Sequence, residues 1–160
     1  THSKPEKLKI EPKHIIALAA ALAIAVAAII GYSYYKRNSD AKKAALDCFH
    51  PEQKVTVENS GTEKIDGSKT CILVATLSDG DKITLHYDIA AKEITEAAAA
   101  QQEIAAKCNV KVSELDDFTI IFDADGELVS WSAEFSIGGE KYFALKEYSG
   151  ILTVERSGKE

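Results

Sequence analysis

From Asp123 to Val154 the chain alternates apolar and polar positions with a period of two. Val129, Trp131, Ala133 and Phe135 fall on one face of a strand that is expected to end near Phe135. Gly138-Gly139 then supply a turn, a second strand follows, and Ser149-Gly150 interrupt the chain before a short terminal run. Two glycines between alternating segments predict a β-hairpin, because primed turns need positive φ. The same grammar occurs earlier. Lys69–Leu77 places Cys71, Leu73, Ala75 and Leu77 on one face and Ile72, Val74 and Thr76 on the other. Asp79-Gly80 turns the chain, and Lys82–Ile89 returns with Ile83, Leu85, Tyr87 and Ile89 on one side. Lys54–Glu58 alternates as a shorter strand, with Ser60-Gly61 and Asp66-Gly67 marking loops. The run FTIIFD, starting at Phe118, predicts a further strand ahead of a turn at Asp125-Gly126.

Other stretches follow a helical period. Residues 15–31 (IIALAAALAIAVAAIIG) contain no charged or polar side chain. With Tyr32, Tyr34 and Tyr35 the run reaches about 20 residues, enough to cross about 30 Å of hydrocarbon. The tyrosines fit an interfacial belt, and Lys36-Arg37 would stop transfer. The sequence after the run is bulky and basic, without an A-x-A site, which favours an uncleaved single-span anchor over a signal peptide. Beyond it, Ala41, Ala44, Ala45 and Cys48 share one helical face, in a helix continuing from the span or closely following it, before Pro51. Thr95 is the expected N-cap of a further helix whose stripe is Ala97, Ala100, Ile104 and Cys108.

The order helix, strand, long hairpin therefore occurs twice. Aligning the stretch from Ile72 with that from Leu128 matches Gly80 with Gly139, Lys82 with Lys141 and Ala75 with Ala133. This is the pattern of an internal duplication, although two unrelated hairpins share much of it. The fold class is α+β: an N-terminal transmembrane helix followed by two small helix-plus-antiparallel-sheet repeats. The boundaries are 1–14 for a basic tail, 15–35 for the span, 40–93 for the first repeat and 94–157 for the second.

Charge refines this layout. The net charge is −6, yet residues 1–39 carry a surplus of +4, leaving about −10 for the remainder. An acidic folded part repels phosphate backbones and disfavours nucleic acid as a partner. Basic residues flank the span on both sides, so charge alone leaves its orientation a tie. Ala17, Ala21 and Ala25, like Ala19, Ala23 and Ala27, recur at four-residue spacing. A homodimer through the transmembrane helix is one reading of this, and chance in an alanine-rich segment is the other.

Candidate chemistry is sparse. The histidines are His2, His14, His50 and His86, and no H-E-x-x-H, C-x-x-C, P-loop or G-x-S-x-G pattern is present. Cys48 and His50 offer two ligands where zinc needs three or four. Asp123 and Asp125 open like a calcium loop that lacks its later ligands, so an acidic turn is the better reading. Asp116-Asp117, Glu127 and Glu134 read as solvated positions. No catalytic set, metal site or cofactor site is expected.

The second copy resembles the PepSY domain over about 60 residues. The features carrying the resemblance are a Thr-capped alanine-rich helix, a V-S-E-x-D loop starting at Val112, an acidic DG turn, W-S-A-E-F before a double glycine, and Y-S-G-I-L at the end. The first copy is a degenerate match without an equivalent of the Ser149-Gly150 step. The resemblance implies PepSY/cystatin-like repeats outside a bacterial cytoplasmic membrane, and an inhibitory or chaperoning association with peptidases. It makes the chain a non-enzymatic interaction module that binds a cell-envelope protein, with Trp131, Tyr142 and Tyr148 as candidate interaction positions. The alternative is a small-molecule or redox-related accessory protein using Cys108 or a cleft between the copies. Given an extracytoplasmic location, a Cys48–Cys71 disulfide is expected, since Cys48 lies on the helix stripe and Cys71 on the equivalent sheet face. Cys108 would then be left over, and three reduced cysteines are the alternative.

Overall fold

In a computed structural model, which describes residues 11–125 and 128–158, the apolar run and the helix after it form one element, α1 (Pro12–Leu46). No glycine or proline interrupts residues 32–46, so the helix runs on past the apolar run without a break. The chain divides into two units, one ending at Arg37 and one beginning at Asn38. In the first, the helix is long and apolar enough to cross a membrane, and its apolar window is wholly exposed. Arg37 lies over the ring of Tyr34, 5.1 Å from its centroid.

The second unit contains two four-stranded antiparallel sheets, each a simple meander. The first comprises β1 (Thr56–Ile65), β2 (Ser68–Thr76), β3 (Lys82–Asp88) and β4 (Glu93–Ile94). The helix α2 (Thr95–Lys107) follows, then β5 (Asp116–Asp125), β6 (Leu128–Ile137), β7 (Glu140–Lys146) and β8 (Leu152–Arg156) form the second. The α+β class is therefore present, with a helix preceding each sheet.

Both strand faces expected in the first sheet are realised. Cys71, Leu73, Ala75, Ile83, Leu85 and Tyr87 are buried, whereas Ile72 and Val74 are half-buried. Gly138 and Gly139 both have positive φ (58° and 84°) between the paired residues Ile137 and Glu140, the two-residue turn that the double glycine predicts. Asp66 and Gly67 (φ 49° and 81°) do the same between Ile65 and Ser68.

Several local expectations are corrected. Ser60-Gly61 is not a loop but a bulge inside β1, where the register shifts between Asn59 and Gly61. The extra residue is absorbed without ending the strand, so β1 runs well beyond Glu58. Thr95 does not cap α2. Ile94 occupies the N-cap with an extended backbone and no side-chain cap bond, because it is already held in β4 opposite Tyr87. Val129 is exposed, although it shares strand parity with the buried Trp131, Ala133 and Phe135. The Asp125-Gly126 turn and Glu127 lie across residues 126 and 127, outside the described residues.

The sheets also share their supports. The second helix packs against β3 and β4, on the first sheet. Glu103 on this helix pairs with Lys146 of β7. The Phe122 N–H of β5 donates to the Cys48 carbonyl at 2.8 Å, which joins the segment after α1 to the second sheet. One hydrophobic core results, to which Ala41, Ala45, Leu73, Leu85, Ile104, Ile120, Phe135 and Ala144 all contribute. A fused core of this kind lets two small sheets reach a burial that neither would achieve alone.

Candidate interaction surface

The aromatic candidates separate by burial. Trp131 is 8% exposed and belongs to the core, where it cannot stack on a partner. Tyr142 is half-buried, paired across strands with Phe135, and the two rings stack at 5.6 Å and 13°. Its hydroxyl donates to Glu140 Oε2 at 3.3 Å. Tyr148 is 42% exposed in the β7–β8 connection. Beside it, Leu145 and Ile151 are also exposed, and Phe143 shares the outward face of β7 with Leu145.

Cys48, Cys71 and Cys108 are all free thiols. The expected Cys48–Cys71 bridge is not formed. Cys48 instead donates from Sγ to the Ala44 carbonyl at 3.3 Å, a bond that requires the protonated thiol. Burial, followed by the nearby carboxylates of Asp47 and Glu96, pushes its pKa up to about 12. Burial also raises Cys108, with Lys107 acting in the opposite direction. Reactive cysteines need the reverse shift, toward thiolate, so neither environment activates its sulfur.

His50 serves its own turn, its Nδ1 accepting from the Glu52 N–H at 3.2 Å. Glu134 is exposed, as a solvated strand position should be. Among the described residues no group of three or more His, Cys, Asp or Glu is placed to hold a metal ion.

A groove of about 350 Å³ lies where the end of α1, the start of α2 and β5 converge. Its lining includes Asp47, Glu93, Ala97, Ala98, Phe118 and Ile120. Four separate segments build it, the end of α1, β4, α2 and β5, so no single sequence motif marks it. The one available signal is the run Ala97–Ala100, whose small side chains leave space beside the strand. Compared with protein-family models, curated proteins and solved structures, the chain matches none.

Proposed function

We propose that this protein is a membrane-anchored, extracytoplasmic interaction module, related to PepSY-domain proteins, that binds and modulates a peptidase or another cell-envelope protein. The observation that carries this reading is the continuity of α1. Its apolar part is fully exposed over a span-length window, and the same helix ends in Ala41 and Ala45, both 0% exposed in the folded unit. A segment with that much exposed apolar surface is stable in lipid rather than in water.

In this reading residues 1–14 lie in the cytoplasm, 15–35 cross the bacterial cytoplasmic membrane, and the acidic folded unit faces outward. The helix-and-meander order, present twice, supports the tandem PepSY-like assignment. Exposed Leu145, Tyr148 and Ile151, and outer strands at the sheet edges, support protein binding over catalysis. The redox alternative gains nothing from Cys48 or Cys108, whose pKa values are raised.

The test is an in-cell cross-link with the tagged full-length protein, followed by mass spectrometry. Capture of a peptidase or a wall-processing enzyme supports the proposal. Capture of redox or transport components, or of the protein alone, argues against it.

A further inference from the structure

The outer edge of β5 is only partly closed. Its partner on one side is β6, and on the other, among the described residues, it makes one backbone bond, donated by the Phe122 N–H to the Cys48 carbonyl. That bond sets the parity of the strand. In an antiparallel ladder the N–H and C=O of one residue point to the same side, and residues two apart share that side. Phe122 points away from β6, so the backbone groups of Ile120 do too. Ile120 stands opposite Ala133, and Phe122 opposite Trp131, in the same non-bonded phase of the ladder. Among the described residues, no hydrogen bond closes the outward side of Ile120.

The groove runs beside this stretch of β5, where Phe118, Thr119 and Ile120 are among its lining residues. The opposite wall is Ala97 and Ala98 of α2, both small and half-buried. The rim is acidic. Asp47 and Glu93 are exposed lining residues, and among the described residues no Lys, Arg or His lines the groove. Each feature selects for a different property of an occupant. The open backbone selects an extended main chain, the alanine wall selects an apolar side chain on one face, and the carboxylates select cations on the other.

We infer that the groove between β5 and α2 binds an extended, lysine- or arginine-containing segment of a partner protein, which adds to β5 beside Ile120 in line with Cys48. The inference rests on the interaction-module reading and specifies its contact. An incoming strand rises about 3.4 Å per residue, so a few residues suffice to pair beside Ile120. Its backbone pairs with Ile120, alternate apolar side chains sit on Ala97 and Ala98, and its basic side chains meet Asp47 and Glu93.

The experiment follows amide hydrogen exchange at Ile120 by NMR in the full chain in detergent micelles. The probes are two blocked pentapeptides, Lys-Val-Lys-Val-Lys and Glu-Val-Glu-Val-Glu. Ile120 is 5% exposed, so the free chain should exchange its amide slowly but faster than that of Phe122, which is bonded to the Cys48 carbonyl. Saturation with the lysine peptide should slow it about tenfold, the effect of one added hydrogen bond, and the glutamate peptide should leave it unchanged. Ala98→Leu fills the groove and Glu93→Lys reverses its rim, so each should abolish the protection. If Ala98→Leu loses its fold, Glu93→Lys at an exposed position carries the test. Protection of Ile120 equal to that of Phe122 in the free chain, equal protection by both peptides, or protection that survives Glu93→Lys would overturn the inference. A cross-linked partner retained by both variants, with no peptide effect on Ile120, would leave the interaction module standing and remove the groove as its contact.

Discussion

Glu96 holds His86 at two points. The His86 backbone N–H donates to Glu96 Oε2 at 3.1 Å, and His86 Nδ1 lies 2.5 Å from Glu96 Oε1. The arrangement closes a gap in the sheet, because β4 pairs only with Tyr87 and Asp88 and leaves the next N–H of β3 without a strand partner. Glu96 lies in the first turn of α2, where a carboxylate is also favoured by the exposed N–H groups of the helix. Glu96→Ala should therefore destabilise the fold by about 1–3 kcal/mol, with Glu96→Gln retaining part of that because its amide oxygen still accepts. Urea unfolding of the full chain in detergent measures the difference. Equal loss in both variants would mean that the backbone bond contributes nothing.

Cys48 predicts an alkaline limb of instability. Its thiol has an ordinary value of 9.0 and is raised to about 12 in the folded chain, first by burial and then by Asp47 and Glu96. Between those values the unfolded chain has released the proton that the folded chain retains. The contribution is therefore fully present below pH 9 and is lost as pH rises toward 12. The limb should steepen by about 1 kcal/mol per pH unit from this group, and Cys48→Ala should flatten it. Tyr87, also raised chiefly by burial, remains in the variant and keeps part of the slope. Melting temperatures of the two proteins from pH 8 to pH 11 provide the comparison.

The β6–β7 turn depends on left-handed backbone at two successive residues. Gly138 and Gly139 sit at φ 58° and 84° with open space where a Cβ would stand, so backbone conformation alone decides what is tolerated. Gly138→Asn should be nearly neutral, since asparagine accepts this conformation. Gly139→Val should cost about 1–2 kcal/mol, because a β-branched side chain clashes with its own backbone there. Chemical denaturation of the two variants tests this ordering.

Trp131 reports the packing of the second sheet. At 8% exposure its fluorescence should resist a soluble quencher in the folded chain and become sensitive on unfolding. Trp131→Ala should cost about 3–5 kcal/mol through the cavity it leaves. A tryptophan quenched freely in the folded state would contradict the burial.

The apolar part of α1 predicts membrane behaviour. The full-length protein should remain with membranes after alkaline carbonate washing and be released by detergent, with residues 12–46 present in the intact mass. Ala23→Arg places a charge near the middle of the span at a cost of about 2.5–3.5 kcal/mol, and should shift the protein toward the soluble or degraded fraction. A mature form lacking this segment would identify it as a cleaved leader instead.

The sequence alone determined what is local. An uncharged run of this length can only be a long apolar helix. Alternation through Lys69–Leu77 and Lys82–Ile89 dictated which side chains face inward, and Gly138-Gly139 dictated where the chain reverses. Each rests on backbone periodicity or on a conformation that few residues accept, so each can be read from neighbours along the chain. Tertiary structure alone decided what depends on distant partners. Ser60 became a bulge because β2 continues opposite it, and Ile94 replaced Thr95 as the cap of α2 because β3 already holds it. Val129 is exposed while Trp131 is buried, although strand parity gives them one face, because the core ends between them. The open edge at Ile120 has the same origin. The Cys48 carbonyl reaches Phe122 and stops short of Ile120, and that difference follows from where α1 ends against the second sheet, not from any residue within β5.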